Sequence, residues 1–174
     1  VPVDPAAARR YFERGVAGGF VRSHYGMGLL YMRGEGGLPR SPQAAIRHFQ
    51  RAAEAGFAAA MGNLAVLLRE QQRFSEAYAW AKRAAAAGDL AGRSALASLL
   101  CFGPAYDPPR GLKLYGELAE EGDVGAMKNA AGLLYYGAEG VPQDRAASRR
   151  WLERAVAAGD AQARQLLDQM FQGR

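Results

Sequence analysis

Residues 136–160 read YGAEGVPQDRAASRRWLERAVAAGD, and from Val141 to Gly159 this stretch matches the opening of the chain, VPVDPAAARRYFERGVAGG, at 12 of 19 positions. A match between stretches this far apart points to a shorter repeat lying between the two copies, and the marker of that repeat is a glycine followed by Phe or Asp. It recurs at Gly19-Phe20, Gly56-Phe57, Gly88-Asp89, Gly122-Asp123 and Gly159-Asp160, a nearly even spacing. The intervals between markers account for the whole distance from one copy to the other.

Ahead of each marker the pattern predicts a helix, here called helix B. Its start signals are Asp4-Pro5, Ser41-Pro42, Ser75, Asp107-Pro108 and Asp144: a short polar side chain accepts from the free N–H groups, and Pro suits the first turn. Eleven positions before the marker stand Ala8, Ala45, Ala77, Gly111 and Ser148, all small. Eight before it stand Tyr11, His48, Trp80, Leu114 and Trp151, mostly large. Both slots are expected to pack closely on a neighbouring helix.

After each marker a second helix, helix A, is predicted. Met27, Leu64, Leu96, Ala130 and Leu167 take its eighth position, Gly28, Ala65, Ala97 and Ala131 its ninth, and Tyr31, Leu68, Leu100, Leu134 and Phe171 its twelfth. A spacing of four puts the large residues on one face, and the small ninth position lets the next helix approach. Helices A and B form antiparallel hairpins that cannot bury their apolar faces alone, so they stack.

Tyr136-Gly137-Ala138-Glu139-Gly140-Val141-Pro142-Gln143-Asp144, followed by Trp151, Arg154-Ala155 and Ala158-Gly159, closely resembles the Sel-1-like repeat, a longer-looped relative of the tetratricopeptide repeat. Residues 34–41, GEGGLPRS, are similar, with Leu38 for the usual Val and Ser41 for the Asp. The resemblance covers nearly the whole chain and implies an all-α fold: a right-handed α/α superhelical solenoid of four to five hairpins, its inner wall lined by the A helices. Residues 58–89 depart from it, because their loop shrinks to about Gln71–Arg73 and lacks the glycines. The expected organisation is a single solenoid over 1–174, with a half-repeat at 1–19, repeats at 20–56, 57–88, 89–122 and 123–159, and a capping helix at 160–174. Asp168 stands in the ninth position that is otherwise small, in a Gln-rich helix, which reads as a polar terminal face. The opening half-repeat reads as a helix B cut from its helix A.

Composition narrows the function classes. With 49% apolar and 22% charged residues the chain folds rather than staying disordered, and no run of about 18 apolar residues is present to cross a bilayer. All but three of the 22 basic residues are Arg, the exceptions being Lys82, Lys113 and Lys128, and the basic residues are dispersed at helical spacing. That disfavours nucleic acid despite a net charge of +5. The chain starts at Val1 and shows no signal peptide, which leaves the periplasm, the exterior and the cytoplasm all open.

Candidates for catalysis are few. His24 and His48 read as packed or partly exposed histidines, and two histidines without an acidic cluster do not make a metal site. Residues 34–40, GEGGLPR, lack the GK[ST] ending and the preceding strand of a phosphate loop. Cys101 reads as a small apolar filler ahead of a reactive thiol. No catalytic residue, metal, cofactor or small-molecule substrate is expected. Some secreted relatives of the Sel-1-like family pin their hairpins with cysteine pairs and are linked to penicillin-like ligands; with a single cysteine this chain departs from them.

The resemblance instead implies a partner-binding groove, with positions 3, 6, 10, 13 and 14 of each helix A pointing inward. The side chains suited to recognition are then Arg22, Tyr25, Met32, Arg33 and Arg69 in the first two repeats. In the later repeats they are Phe102, Lys128, Tyr135 and Tyr136. Aromatic rings supply area at low entropy cost and Arg pairs with carboxylates, so the expected partner is an acidic and apolar protein segment. The expected function is a non-catalytic interaction scaffold, in a bacterial envelope, secretion or host-contact system as the resemblance implies. The alternatives are a penicillin-like ligand-binding or hydrolysing enzyme and a basic nucleic-acid-binding solenoid, and for Phe102 and Tyr136 simple packing between repeats.

Overall fold

The computed structural model describes residues 4–171. Ten helices lie there: α1 (Pro5–Ala17), α2 (Val21–Arg33), α3 (Pro42–Glu54), α4 (Ala58–Glu70), α5 (Phe74–Ala86), α6 (Leu90–Phe102), α7 (Pro108–Glu120), α8 (Val124–Tyr136), α9 (Arg145–Ala157) and α10 (Ala161–Phe171). Among the described residues the β structure is one isolated bridge, Ala138 to Val141. Odd-numbered helices are the B type and even-numbered ones the A type. The chain forms two compact units, Val1–Ala95 and Leu96–Arg174, with α6 running from one into the other. In the first, each of α1 to α4 packs on the next; in the second, α7 packs on α8, α8 on α9 and α9 on α10.

The helices begin and end where the residue chemistry directs. Asp4, Ser41, Asp107 and Asp144 each accept a backbone N–H two or three positions on, capping α1, α3, α7 and α9. Asp89, Asp123 and Asp160 do the same for α6, α8 and α10. Between B and A the chain turns through the marker glycine, which is left-handed at Gly19, Gly56, Gly88, Gly122 and Gly159. A Cβ built at any of the five meets nothing within 4 Å, so the demand for glycine is set by φ and not by space.

The start of α5 corrects the sequence reading. Ser75 is not the cap: the helix begins at Phe74, behind Arg73, with no side-chain cap. The short loop leaves no residues to spare, so Gln72 makes the turn at φ +60° without being glycine, and Arg73 bridges to Glu76 instead at 2.7 Å.

Burial sorts the repeat positions. Ala45, Ala77 and Ser148, eleven before the marker, are fully buried, and so are Ala65, Ala97 and Ala131 at the ninth position of helix A. These small slots are where helices approach: Gly28 lies against the Phe49 ring, and Ser148 Oγ donates to the Ala131 carbonyl at 2.8 Å. The slot eight before the marker is different from the expectation. Tyr11 is exposed and His48, Trp80, Leu114 and Trp151 are only half-buried, while the next position on holds the core in Phe49, Ala81, Tyr115 and Leu152. One residue is about 100° of rotation, enough to move a side chain from the helix interface to its shoulder. There Trp80 and Trp151 are covered by Arg83 and Arg154, whose guanidinium carbons stand 4.3 Å and 4.5 Å from the ring centroids.

Candidate functional site

The nine side chains expected in the groove separate into two sets. Positions 3, 10 and 14 of helix A lie within about 40° of one another around the axis, whereas positions 6 and 13 sit some 40–100° round from them, on the order of one residue's rotation. In the second set, Tyr25, Gly62, Lys128 and Tyr135 meet residues of the following repeat.

At position 6, Tyr25 of α2 meets Phe57, the first residue after the next marker, edge to face with centroids 4.9 Å apart. It also packs on Phe49, and Asn63 Nδ2 donates to its hydroxyl at 3.4 Å. Gly62 of α4 holds the same position against Asp89, leaving room for the carboxylate that caps α6. Lys128 of α8 holds it against Asp160: Nζ donates to the Asp160 carboxylate at 3.0 Å and to Gln162 at 2.8 Å, with both ions mostly shielded from solvent. The Ala163 N–H, and then Lys128, hold the Asp160 carboxyl below its ordinary range. In these three repeats position 6 therefore meets position 1 of the next, as aromatic with aromatic, glycine with Asp, or Lys with Asp. That coupling joins residues most of a repeat apart, and neither residue alone signals it.

At position 13, Tyr135 behaves alike. Tyr135 is half-buried, its hydroxyl donates to the Met170 carbonyl at 2.9 Å, its ring meets Phe171, and Arg145 lies 4.8 Å from its centroid. Met32 and Arg69 are half-buried, and Cys101 is buried. Burial, then the Asp107 charge, pushes the Cys101 thiol up to about 11, so it fills space beside Gly111 rather than presenting a thiolate.

The other edge is open. Arg22 at position 3 is exposed, and so is Arg33 at position 14, which reaches Glu35 only at 3.9 Å. Phe102 and Tyr136, also at position 14, are 69% and 71% exposed, so neither packs between repeats. In the second unit they stand with Tyr106 on the exposed rim of a concavity of about 590 Å³, whose lining includes buried Cys101 and Leu133 and, beside them, Gly132 and Asn129. Tyr106 comes from the α6–α7 loop and carried no repeat-position signal.

The two histidines face each other, with His24 Nδ1 to His48 Nδ1 at 3.1 Å across α2 and α3, and Tyr31 stacked on the His48 ring. Burial, then the charges of His24 and Arg47, lowers the His48 pKa. Lying on separate helices, far outside helical spacing of each other, they gave no sign of the contact in the sequence. Among the described residues no three of His, Cys, Asp and Glu lie together as metal ligands, and no helix is long and apolar enough to cross a membrane.

Helix hairpins joined through left-handed glycines and stacked by small slots define an α/α solenoid. The Sel1 repeat profile matches residues 1–20, 21–57, 58–89, 92–123 and 124–160, and the chain belongs to that family. A Sel1 repeat protein from Oxalobacter formigenes is similar in structure, with TM-score 0.81 and 25% identity over 94% of this chain and 66% of that one. So is c5321, a protective antigen of uropathogenic Escherichia coli displaying an SLR fold, with TM-score 0.57 and 22% identity over 98% of this chain and 45% of that one. The chain thus spans less than two thirds of the length of either. No curated protein matches it. Sel1 repeat proteins generally serve as protein-interaction scaffolds, and their solenoid is typically non-catalytic.

Proposed function

We propose that the chain is a non-catalytic scaffold that holds a segment of a partner protein on the open edge of its A helices, in a bacterial envelope, secretion or host-contact system. The observation that carries this reading is the concavity of the second unit, where Phe102, Tyr106 and Tyr136 are exposed around a lining that includes Cys101, Gly132 and Leu133. Large aromatic side chains left in water beside an apolar hollow gain by covering it, and a rigid ring loses little entropy in doing so. An apolar side chain of the partner enters that hollow. Lys128 is engaged by Asp160, so in the second unit recognition falls to the rings; in the first unit, taken by itself, the exposed Arg22 and Arg33 are the cations suited to acidic residues of a partner. Exposed ion pairs contribute below about 1 kcal/mol, which assigns affinity to the rings and orientation to the charges. Tyr25, Met32, Arg69 and Tyr135 support the edge by packing behind it.

The test is selection from a displayed library of random peptides, followed by affinity measurements on variants. Replacing Phe102 and Tyr136 together by Ala should weaken the selected peptides by about tenfold or more, while Arg47→Glu and Arg149→Glu on B helices leave them unchanged. The opposite pattern would place binding on the B-helix side and remove the reading. A thermal shift with penicillin-like ligands would favour the ligand-binding alternative, and DNA affinity falling steeply with salt the nucleic-acid one.

A further inference from the structure

The concavity of the second unit has hydrogen-bonding chemistry as well as rings. Phe102, Tyr106 and Tyr136 line it, each at least half exposed. They do not cover one another: Tyr136 makes its ring contact with Tyr135, and among the described residues Phe102 and Tyr106 have no ring partner. Three aromatic faces are thus open beside one hollow.

The polar groups around those rings are unequally spent. Among the described residues the lining holds no Asp or Glu. Lys128 gives two of its three protons to Asp160 and Gln162, so its charge is matched. Asn129, exposed next to it, has a side-chain amide without a partner among the described residues, and the Tyr106 and Tyr136 hydroxyls are likewise unbonded there. Carbonyls close by are taken. In the last turns of α6 and α8 the Leu100 and Leu134 carbonyls accept from the Asp107 and Asp144 N–H groups, each at 2.8 Å, and the Tyr136 carbonyl accepts from Gln143 Nε2 at 3.0 Å. The hollow therefore offers rings and spare donors, with no free ion of either sign.

That balance of charge and hydrogen bonding selects among segments. A basic segment would find no carboxylate here and an acidic one no free cation, while an extended strand would bring N–H groups to a surface with few open acceptors. A proline-rich segment fits: it carries carbonyls with few N–H groups, and its uncharged rings lie flat on aromatic faces. In the polyproline II conformation those carbonyls are not bonded within the segment, and one face recurs every third residue, about 9 Å on, so successive prolines reach separate rings. Being preformed, such a segment loses little entropy on docking in an aromatic-lined groove. We infer that this concavity binds a proline-rich segment of a partner protein in the polyproline II conformation, with proline rings on Phe102, Tyr106 and Tyr136 and backbone carbonyls on the Asn129 amide and the tyrosine hydroxyls. The site is the one the scaffold reading uses and rests on that reading; the class of segment is what is added.

The probes are an oligoproline, a glycine-serine peptide of equal length, and peptides selected on the intact chain from a displayed random library. Selected peptides should be enriched in proline at spacings of three. Oligoproline should shift the NMR signals of the Asn129 side-chain amide, and the glycine-serine peptide should not. In a selected peptide, changing its prolines to alanine should lower affinity about tenfold or more, as should Phe102→Ala combined with Tyr136→Ala in the chain. Asn129→Leu should lower it about threefold or more. All three substituted side chains are exposed, and circular dichroism confirms that helix content is kept. Peptides that need the two rings but carry no excess of proline overturn this inference and leave the scaffold reading standing, whereas the absence of any ring-dependent peptide removes the scaffold reading itself. Enrichment of charged residues in place of proline, or oligoproline binding that survives the ring and Asn129 variants, also overturns the proline assignment.

Discussion

Ala97 and Ala131 are fully buried at the ninth position of helix A, and what faces them leaves no volume: Gly111 lies against the Ala97 carbonyl, and the Ala131 carbonyl accepts from Ser148. Ala97→Leu or Ala131→Leu should cost about 1–3 kcal/mol through displaced helices, read as a lower urea midpoint. Midpoints unchanged in both would undo the slot assignment. The histidine pair makes a second residue-scale prediction. One Nδ1 must donate and the other accept for the 3.1 Å contact, so the pair suits at most one proton between these two nitrogens. The His48 pKa is lowered in the folded chain, by burial first and then by His24 and Arg47. The unfolded chain therefore takes that proton first as pH falls. Its contribution to stability is full above the ordinary value of 6.5, declines below it, and levels once pH has passed the depressed folded value. Urea midpoints between neutral and mildly acid pH should fall in wild type and fall less in His48→Phe, which keeps a ring beside Tyr31. Equal slopes in the two proteins would remove the pair from the pH response.

At the scale of elements, stability resides in caps as well as packing, and the caps separate what the sequence disclosed from what it concealed. Asp144 accepts from Ala147 N–H at 2.8 Å, so Asp144→Ala should cost about 1 kcal/mol. Ser75 lies inside α5, and Ser75→Ala should be neutral or slightly stabilising because Ala is the better helix former. Thermal melts of the two variants decide between the cap positions, and equal losses would return Ser75 to the boundary. Helix pairs, marker turns and small slots were legible because each is written in a short stretch: a cap, a glycine, side chains three or four positions apart. The α5 start was misread because its loop carries neither Gly nor Pro, and Gln72 takes a conformation that its side chain does not advertise. The groove was legible only in part. Counting positions placed Arg22, Arg33, Phe102 and Tyr136 on the exposed edge, but it could not tell that edge from its neighbour. There Tyr25, Lys128 and Tyr135 meet partners in the following repeat, and those pairs exist only once the hairpins stack.

For the whole molecule, the rule that position 6 meets position 1 of the next repeat makes stacking itself testable. In a linear array each hairpin gains stability mainly from the interface with its neighbour, and on the α1–α2 face Tyr11 and Phe20 are exposed among the described residues. The likeness of residues 1–19 to 141–159 supplies a junction: residues 123–140, which lead into VPQD, can be placed ahead of Val1, leading into VPVD. The added helix should cover Phe20 and Tyr11, slow hydrogen exchange in α1 and raise the melting temperature, by about 2–4 °C for each kcal/mol gained in a chain of this length. The copy of Lys128 in that graft would face Phe20 where the original faces Asp160, an ion set against a ring with no carboxylate. Changing that copied lysine to Tyr recreates the pairing of Tyr25 with Phe57 and should raise the melting temperature further, whereas in the plain graft the lysine exchanges its carboxylate for a weaker cation–π contact with the ring. A graft that melts at the wild-type temperature with α1 exchanging as before would show that the open face is no stacking surface. If both grafts stabilise equally, stacking holds while the position rule fails, and the specificity of neighbour for neighbour must then come from the small slots alone.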